Sequence, residues 1–137
     1  ALLNYYMRMA KSAGIPMEWE VSMPVSADVS NIDLCGIIGN ILENAIYACE
    51  RIDERKRFID LTIRGGADNS LYIVASNSFD GNVRMSGGNY LSTNKHGTGL
   101  GLRSILETAE KYGGTARFSH NAAEFHTDVL LKIRPGE

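Results

Sequence analysis

Apolar side chains recur along this chain with two periods, and the switches between them outline an order of helices and strands. Residues 2–13 carry them at helical spacing and stop at Gly14 and Pro16, which predicts a short helix. Residues 17–23 alternate instead. Met17, Trp19, Val21 and Met23 take one face, with Glu18, Glu20 and Ser22 on the other, the pattern of a half-buried strand. Ser30 followed by Asp33 is a capping-box pattern that opens a long helix to about residue 52. Its apolar stripe is Leu34, Ile38, Ile41/Leu42, Ala45, Ala48/Cys49 and Ile52. Residues 53–57 read as a solvated charged turn. Ile59, Leu61 and Ile63, then Leu71, Ile73 and Ala75, predict two strands of a hairpin turning at 65–69. Residues 78–96 show little periodicity and read as a long loop, a feature that in a compact domain is usually functional. A second long helix is expected over 98–112, with Leu102, Ile105/Leu106, Ala109 and Tyr112 inward and Gly113-Gly114 ending it. The last strands fall near 116–119 and 124–133, where Phe125, Thr127, Val129, Leu131 and Ile133 share a face. Five amphipathic strands facing three amphipathic helices predict a two-layer α/β sandwich.

Composition narrows the function classes. At 137 residues the chain is one domain's worth, and the first residues read as mid-helix, so an excised fragment is expected. Fourteen basic against sixteen acidic residues leave a formal charge of -2, with no electrostatic footprint for nucleic acid. At 44% hydrophobic and 22% charged residues the chain is expected to bury a real core. No apolar run approaches the ~18 residues that span a bilayer, and no signal-peptide pattern opens the sequence. Cys35 and Cys49 lie on one predicted helix about 21 Å apart, beyond the ~7 Å Cα limit for a disulfide. Both read as small buried residues in a reducing compartment. His96, His120 and His126 have no zinc-site spacing.

Three local patterns carry candidate chemistry. Glycine totals 14, and Gly81, Gly87, Gly88, Gly97, Gly99 and Gly101 cluster in one stretch. Gly97-Thr98-Gly99-Leu100-Gly101-Leu102 opens a helix, a junction that aims free backbone N–H groups and the positive dipole end at an anion. The alternative is a flexible turn; neither the Rossmann fingerprint nor a P-loop is present. Asn40 and Asn44 stack one turn apart on a helix face, either solvent-facing or as hard amide ligands for Mg²⁺. Asn77 continues the inward row Leu71, Ile73, Ala75, either as a turn residue or poised to hydrogen-bond a purine edge. Thr127 is similarly placed on the last strand.

In their order along the chain these patterns resemble the GHKL, or Bergerat, ATP-binding fold, over nearly the whole length from Met17 to Ile133. GNILENAIYACE (39–50) and HGTGLGLRSI (96–105) are similar to the catalytic domain of sensor histidine kinases. The SNSF segment at 76–79, in place of an Asp-x-Gly-x-Gly box, is similar to the subfamily that includes peptide-sensing quorum kinases. The resemblance implies a mixed, mainly antiparallel sheet of about five strands on three helices. It implies residues 1–14 as the end of a linker helix from a dimerisation and phosphoacceptor domain, and 15–137 as the ATP-binding domain with its lid at 78–96. It implies ATP and Mg²⁺ as cofactors: Asn44 ligands the ion, Asn40 supports the ion and phosphates, and Asn77 stands where the family's adenine-reading Asp does. Lys95 and His96 would lie near the phosphates, Gly97 through Leu102 would wrap the triphosphate, and Thr127 would flank the adenine.

Two departures stand out. Asn77 is neutral, so it accepts the adenine amine's hydrogen bond without the strengthening of charge. Tyr47 stands where many histidine kinases carry Lys, with Arg51 one turn on as a substitute cation. Asp80-Gly81 is a candidate displaced glycine box, although it breaks the inward register. Hydrolysing relatives carry Glu at position 40 as a general base; Asn40 is no base, which points to a kinase that presents ATP to a partner histidine. The partners implied are the chain's own dimerisation domain and, indirectly, a response regulator. The setting implied is the cytoplasmic side of a membrane-anchored homodimeric receptor. The alternatives are a nucleotide-free scaffold acting by protein contact, or a GHKL-type ATPase.

Overall fold

The computed structural model describes residues 2–24, 29–91 and 101–133. Helix α1 (Leu2–Ser12) leads into strand β1 (Met17–Ser22), followed by the long helix α2 (Asn31–Glu50). Strands β2 (Ile59–Gly66) and β3 (Ser70–Ser78) come next, then two short strands, β4 (Arg84–Ser86) and β5 (Asn89–Leu91). Helix α3 (Gly101–Lys111) and strands β6 (Thr115–His120) and β7 (Glu124–Lys132) complete the order. Five strands make one sheet in the order β1-β2-β3-β7-β6; β1 runs parallel to β2 and every other pairing is antiparallel. The helices cover one face, so the expected two-layer α/β sandwich is what forms.

Register explains why the sheet holds together. Leu61 pairs with Ala75, Ile63 with Ile73, Ile73 with Val129 and Leu71 with Leu131, so the apolar rows of three strands fall on one face. All of these side chains are buried, and each contributes about 1.5–3 kcal/mol by leaving water. A one-residue slip would expose the entire row. Ser30 caps α2 as expected, its Oγ accepting the Asp33 N–H at 3.0 Å.

The structure corrects several expectations. The buried face of α2 is wider than the predicted stripe. Ile37, Gly39 and Ile46 are buried, while Leu34, Ala48 and Ile52 are only partly so. The cause is that α1 and α3 both touch this helix, so burial spreads beyond the sheet-facing line. Val21 and Met23 are 42% and 39% exposed, because β1 is an edge strand whose far end the helices do not cover. Cys35 is exposed; Cys49 is buried. The charged turn at 53–57 is not simply solvated. Arg57 donates to the carbonyls of Ala13, Ile52 and Glu50 at 2.6, 3.1 and 3.3 Å, closing the ends of α1 and α2 together. Within the expected loop, β4 and β5 form a hairpin turned by Gly87 and Gly88 at φ 58° and 81°. Two successive left-handed positions are the demand of a tight hairpin turn, which glycine meets without strain. By length and composition alone α2 passes the test for a membrane-crossing helix, with mean hydropathy 1.3, although Asn40, Glu43 and Asn44 interrupt its apolar residues. Its apolar face, however, packs on the sheet.

Candidate functional site

The polar flank of α2 comes first. At 100° per residue Asn40, Asn44, Tyr47 and Arg51 fall within one narrow sector, away from the buried line of Ile38, Leu42, Ala45 and Cys49. Asn40 and Asn44 are half-buried, and the Asn44 Oδ1 is sequestered from solvent. Glu43, the carboxylate between the two asparagines, is tied to α1. It accepts the Tyr6 hydroxyl of α1 at 2.8 Å. Burial, reinforced by Glu43, pushes the Tyr6 phenol well above its ordinary pKa, so it stays a donor. Glu43 is thereby partnered across to α1. It borders a groove of about 750 Å³ between α1 and α2, lined also by Tyr5, Arg8, Met9 and Tyr47.

The sheet supplies the second wall. Asn77 is 7% exposed and ends the inward row of β3, paired with Phe125 of β7. Its Nδ2 donates to the Ser78 carbonyl at 2.9 Å. Thr127, 5% exposed, lies on the inward row of β7 opposite Ala75. What ties this strand end to α2 is a cluster that sequence reading missed. Ser78 Oγ accepts the Phe58 N–H at 2.9 Å and lies 3.4 Å from Cys49 Sγ, which also reaches the Phe58 carbonyl at 3.4 Å. Burial pushes the Cys49 thiol up, so it is a neutral donor here. A cysteine and a serine 29 residues apart carry no local signal of that contact.

Two further contacts border the strand end. Arg51 stacks its guanidinium over Tyr47, 5.6 Å from the ring centroid, and pairs with Asp80 at 3.5 Å. Asp80 is exposed, so the Asp80-Gly81 pair does not replace Asn77 on the inward row. Arg51 thus lies on the polar flank, as its candidacy required, but faces Asp80. Beside it, Tyr90 of β5 packs edge-on against Phe118, His120 and Phe125, and its hydroxyl meets His120 Nδ1 at 2.7 Å. Phe79 completes this aromatic cluster through His120 and Phe125. Tyr90 lay in the stretch without periodicity, which hid it.

Gly101 and Leu102 are buried at the start of α3. Lys95, His96, Gly97, Thr98, Gly99 and Leu100 lie outside the described residues. Among the described residues no group of three or more His, Cys, Asp or Glu side chains could hold a metal. A sequestered amide oxygen at Asn44 with a second amide one turn before fits Mg²⁺, which takes few protein ligands beside phosphate oxygens.

This arrangement defines a class. The chain belongs to the GHKL domain family, whose pattern residues 29–132 match. Its fold is that of histidine kinase catalytic domains. A mycobacterial sensor histidine kinase, MprB, superposes with a TM-score of 0.68 at 16% identity, over 98% of this chain and 95% of that one. A histidine kinase from Burkholderia phymatum STM815 gives 0.70 at 11% identity, over 96% and 67%. Full-length ShkA, in complex with AMPPNP, gives 0.65 at 18% identity; the match covers 98% of this chain and 30% of ShkA. No curated protein matches the sequence.

Proposed function

We propose that this chain is the Mg-ATP-binding catalytic domain of a protein-histidine kinase, presenting the γ-phosphoryl group to a histidine on a separate dimerisation domain. The observation that carries the reading is the pairing of two polar features within one GHKL fold. The half-buried amide pair Asn40/Asn44 lies on the polar flank of α2, and the buried Asn77 lies at the strand end tied to that helix through Ser78 and Cys49.

In this reading Asn77 accepts the adenine amine, and Thr127 flanks the base. Gly97, Thr98, Gly99, Leu100, Gly101 and Leu102 supply backbone N–H groups to the triphosphate, with Lys95 and His96 beside it. Asn44 ligands Mg²⁺ and Asn40 supports it; the ion, when bound, neutralises phosphate charge and orients the oxygens. The chain's contribution to transfer is positioning. Asn40 cannot take a proton, and Glu43, the neighbouring carboxylate, is engaged by the Tyr6 hydroxyl of α1. A neutral imidazole is already a competent nucleophile, so no base is needed for a histidine acceptor, whereas hydrolysis lacks the residue that would activate water. Residues 1–14 end the helix that joins the acceptor domain, in a membrane-anchored dimer that passes phosphate to a response regulator.

The test is calorimetric titration with AMPPNP, with and without Mg²⁺, on the wild type and Asn44→Ala. Mg²⁺-dependent binding that the variant loses by about 100-fold or more is expected. No binding up to millimolar nucleotide by the folded protein overturns the reading in favour of a scaffold. Fast hydrolysis by the chain alone overturns it in favour of an ATPase.

A further inference from the structure

We infer that the base end of this site discriminates weakly between 6-amino and 6-oxo purines, so that the domain takes purine nucleoside triphosphates as a class; this rests on the nucleotide-binding reading above. Among the described residues the buried polar side chains are Ser70, Asn77, Ser78 and Thr127, and none carries a formal charge. Ser70 starts β3, at the opposite end from Asn77. The Ser78 hydroxyl is engaged by the Phe58 N–H and Cys49. Asn77 and Thr127, on the inward rows of adjacent strands, are left to meet a base edge.

Both can donate and accept. An amide offers an oxygen acceptor and an N–H₂ donor, and a hydroxyl offers one of each. A 6-amino purine presents a donor at position 6 and an acceptor at position 1; a 6-oxo purine presents the reverse. A carboxylate at position 77 could only accept, so it would set lone pairs against the 6-oxo oxygen with no donor between them. Asn77 can answer either edge by turning its amide over. In its present orientation Nδ2 is committed to the Ser78 carbonyl at 2.9 Å, which makes Oδ1 the free accepting end and favours the 6-amino base. Turning over for the 6-oxo base gives up that bond and leaves Oδ1 facing the Ser78 carbonyl oxygen, a preference of about a hundredfold or less. The acid nearest in sequence, Asp80, does not restore the missing charge, because it is exposed and paired with Arg51 at 3.5 Å.

The experiment is a calorimetric comparison of AMPPNP and GMPPNP, each with Mg²⁺, on the wild-type chain. Dissociation constants within about a hundredfold of each other are expected, the worth of the lost hydrogen bond and the carbonyl left unsatisfied; a larger preference for AMPPNP overturns the inference. Asn77→Asp, verified as folded by its thermal melt, is expected to widen the preference by at least another factor of about ten, since a carboxylate cannot donate. An unchanged ratio in the folded variant overturns the assignment to Asn77. Asn77→Ala serves where the Asp variant does not fold: it should bind both nucleotides more weakly and about equally, and a retained preference overturns the assignment. Failure of the wild type to bind either nucleotide would instead sink the nucleotide-binding reading itself. Binding of AMPPNP alone sinks only the inference about base choice.

Discussion

The two ends of the sandwich are built on opposite principles. Where α2 starts and α3 finishes, charge closes the structure. Lys111 Nζ and the Tyr112 hydroxyl both donate to Asp33 Oδ2, at 2.9 and 2.7 Å, and the Ser30 N–H donates to the Tyr112 hydroxyl at 3.0 Å. Where α2 finishes and β3 ends, the enclosed polar groups are neutral, namely Asn44, Asn77, Ser78, Thr127 and the Cys49 thiol, and the Arg51–Asp80 ion pair stays at the rim. The lesson is about what each end leaves over. Asp33 Oδ2 carries two donors, one of them the Lys111 ammonium, so the charge at the closed end is balanced within the fold. At the open end Asn77 keeps its Oδ1 after its one bond to Ser78. A nucleotide site needs polar capacity left unspent inside an ordered wall, and only the second end combines the two.

That contrast predicts unequal responses to mutation. The largest effect should come from Ser78→Ala, which leaves the buried Phe58 N–H without its acceptor and loosens Cys49. A loss of about 1–3 kcal/mol is expected from urea denaturation, together with weaker AMPPNP binding as the strand end shifts against α2. Unchanged stability would mean that the link between β3 and α2 is incidental. A smaller effect is expected from Tyr90→Phe, which keeps the ring contacts with Phe118, His120 and Phe125 but removes the hydroxyl bond to His120. That should cost about 0.5–1.5 kcal/mol. Loss of hydrogen-exchange protection confined to 84–91 would show that the hairpin opens by itself; uniform loss across the sheet would show that it does not.

The same contrast separates what the sequence revealed from what it concealed. The inward rows of β2, β3 and β7 were legible because alternation at period two survives in every strand, and Asn77 was found by continuing one of them. The Ser30 cap was legible because a box spans only three residues. Contacts across long separations were not. Cys49 with Ser78, Glu43 with Tyr6, and Tyr90 with His120 join residues 29, 37 and 30 positions apart, and nothing local in either partner marks them. Burial on α2 was misjudged for a related reason. The stripe was read against one neighbour, the sheet, while α1 and α3 cover its flanks. The β4–β5 hairpin was missed because three-residue strands carry no period, although Gly87-Gly88 was a turn signal in plain view.

The smallest effect should come from the closed end, and its pH dependence makes it diagnostic. Hydrogen bonds from Lys111 and Tyr112 hold the Asp33 carboxyl below its ordinary pKa, and the same Asp33 contact holds the Lys111 ammonium above its own. For Asp33 the folded value lies below the unfolded one, so its contribution is present above the ordinary carboxylate range and fades as pH falls through the depressed value. For Lys111 the folded value lies above the unfolded one, so its contribution is present below the ordinary lysine range and fades as pH rises through the elevated value. The pair therefore stabilises the fold across the neutral range. Asp33→Asn should lower the melting temperature modestly at pH 7, with the difference from wild type shrinking on acidification. Because the Lys111 ammonium is largely exposed, added salt should shrink it as well. AMPPNP affinity should not change in this variant, since the proposed site begins about two turns further along α2, at Asn40. A loss of nucleotide binding there would break the contrast between the two ends, by showing that the latch at Asp33 sets the pitch of the helix that carries Asn40 and Asn44.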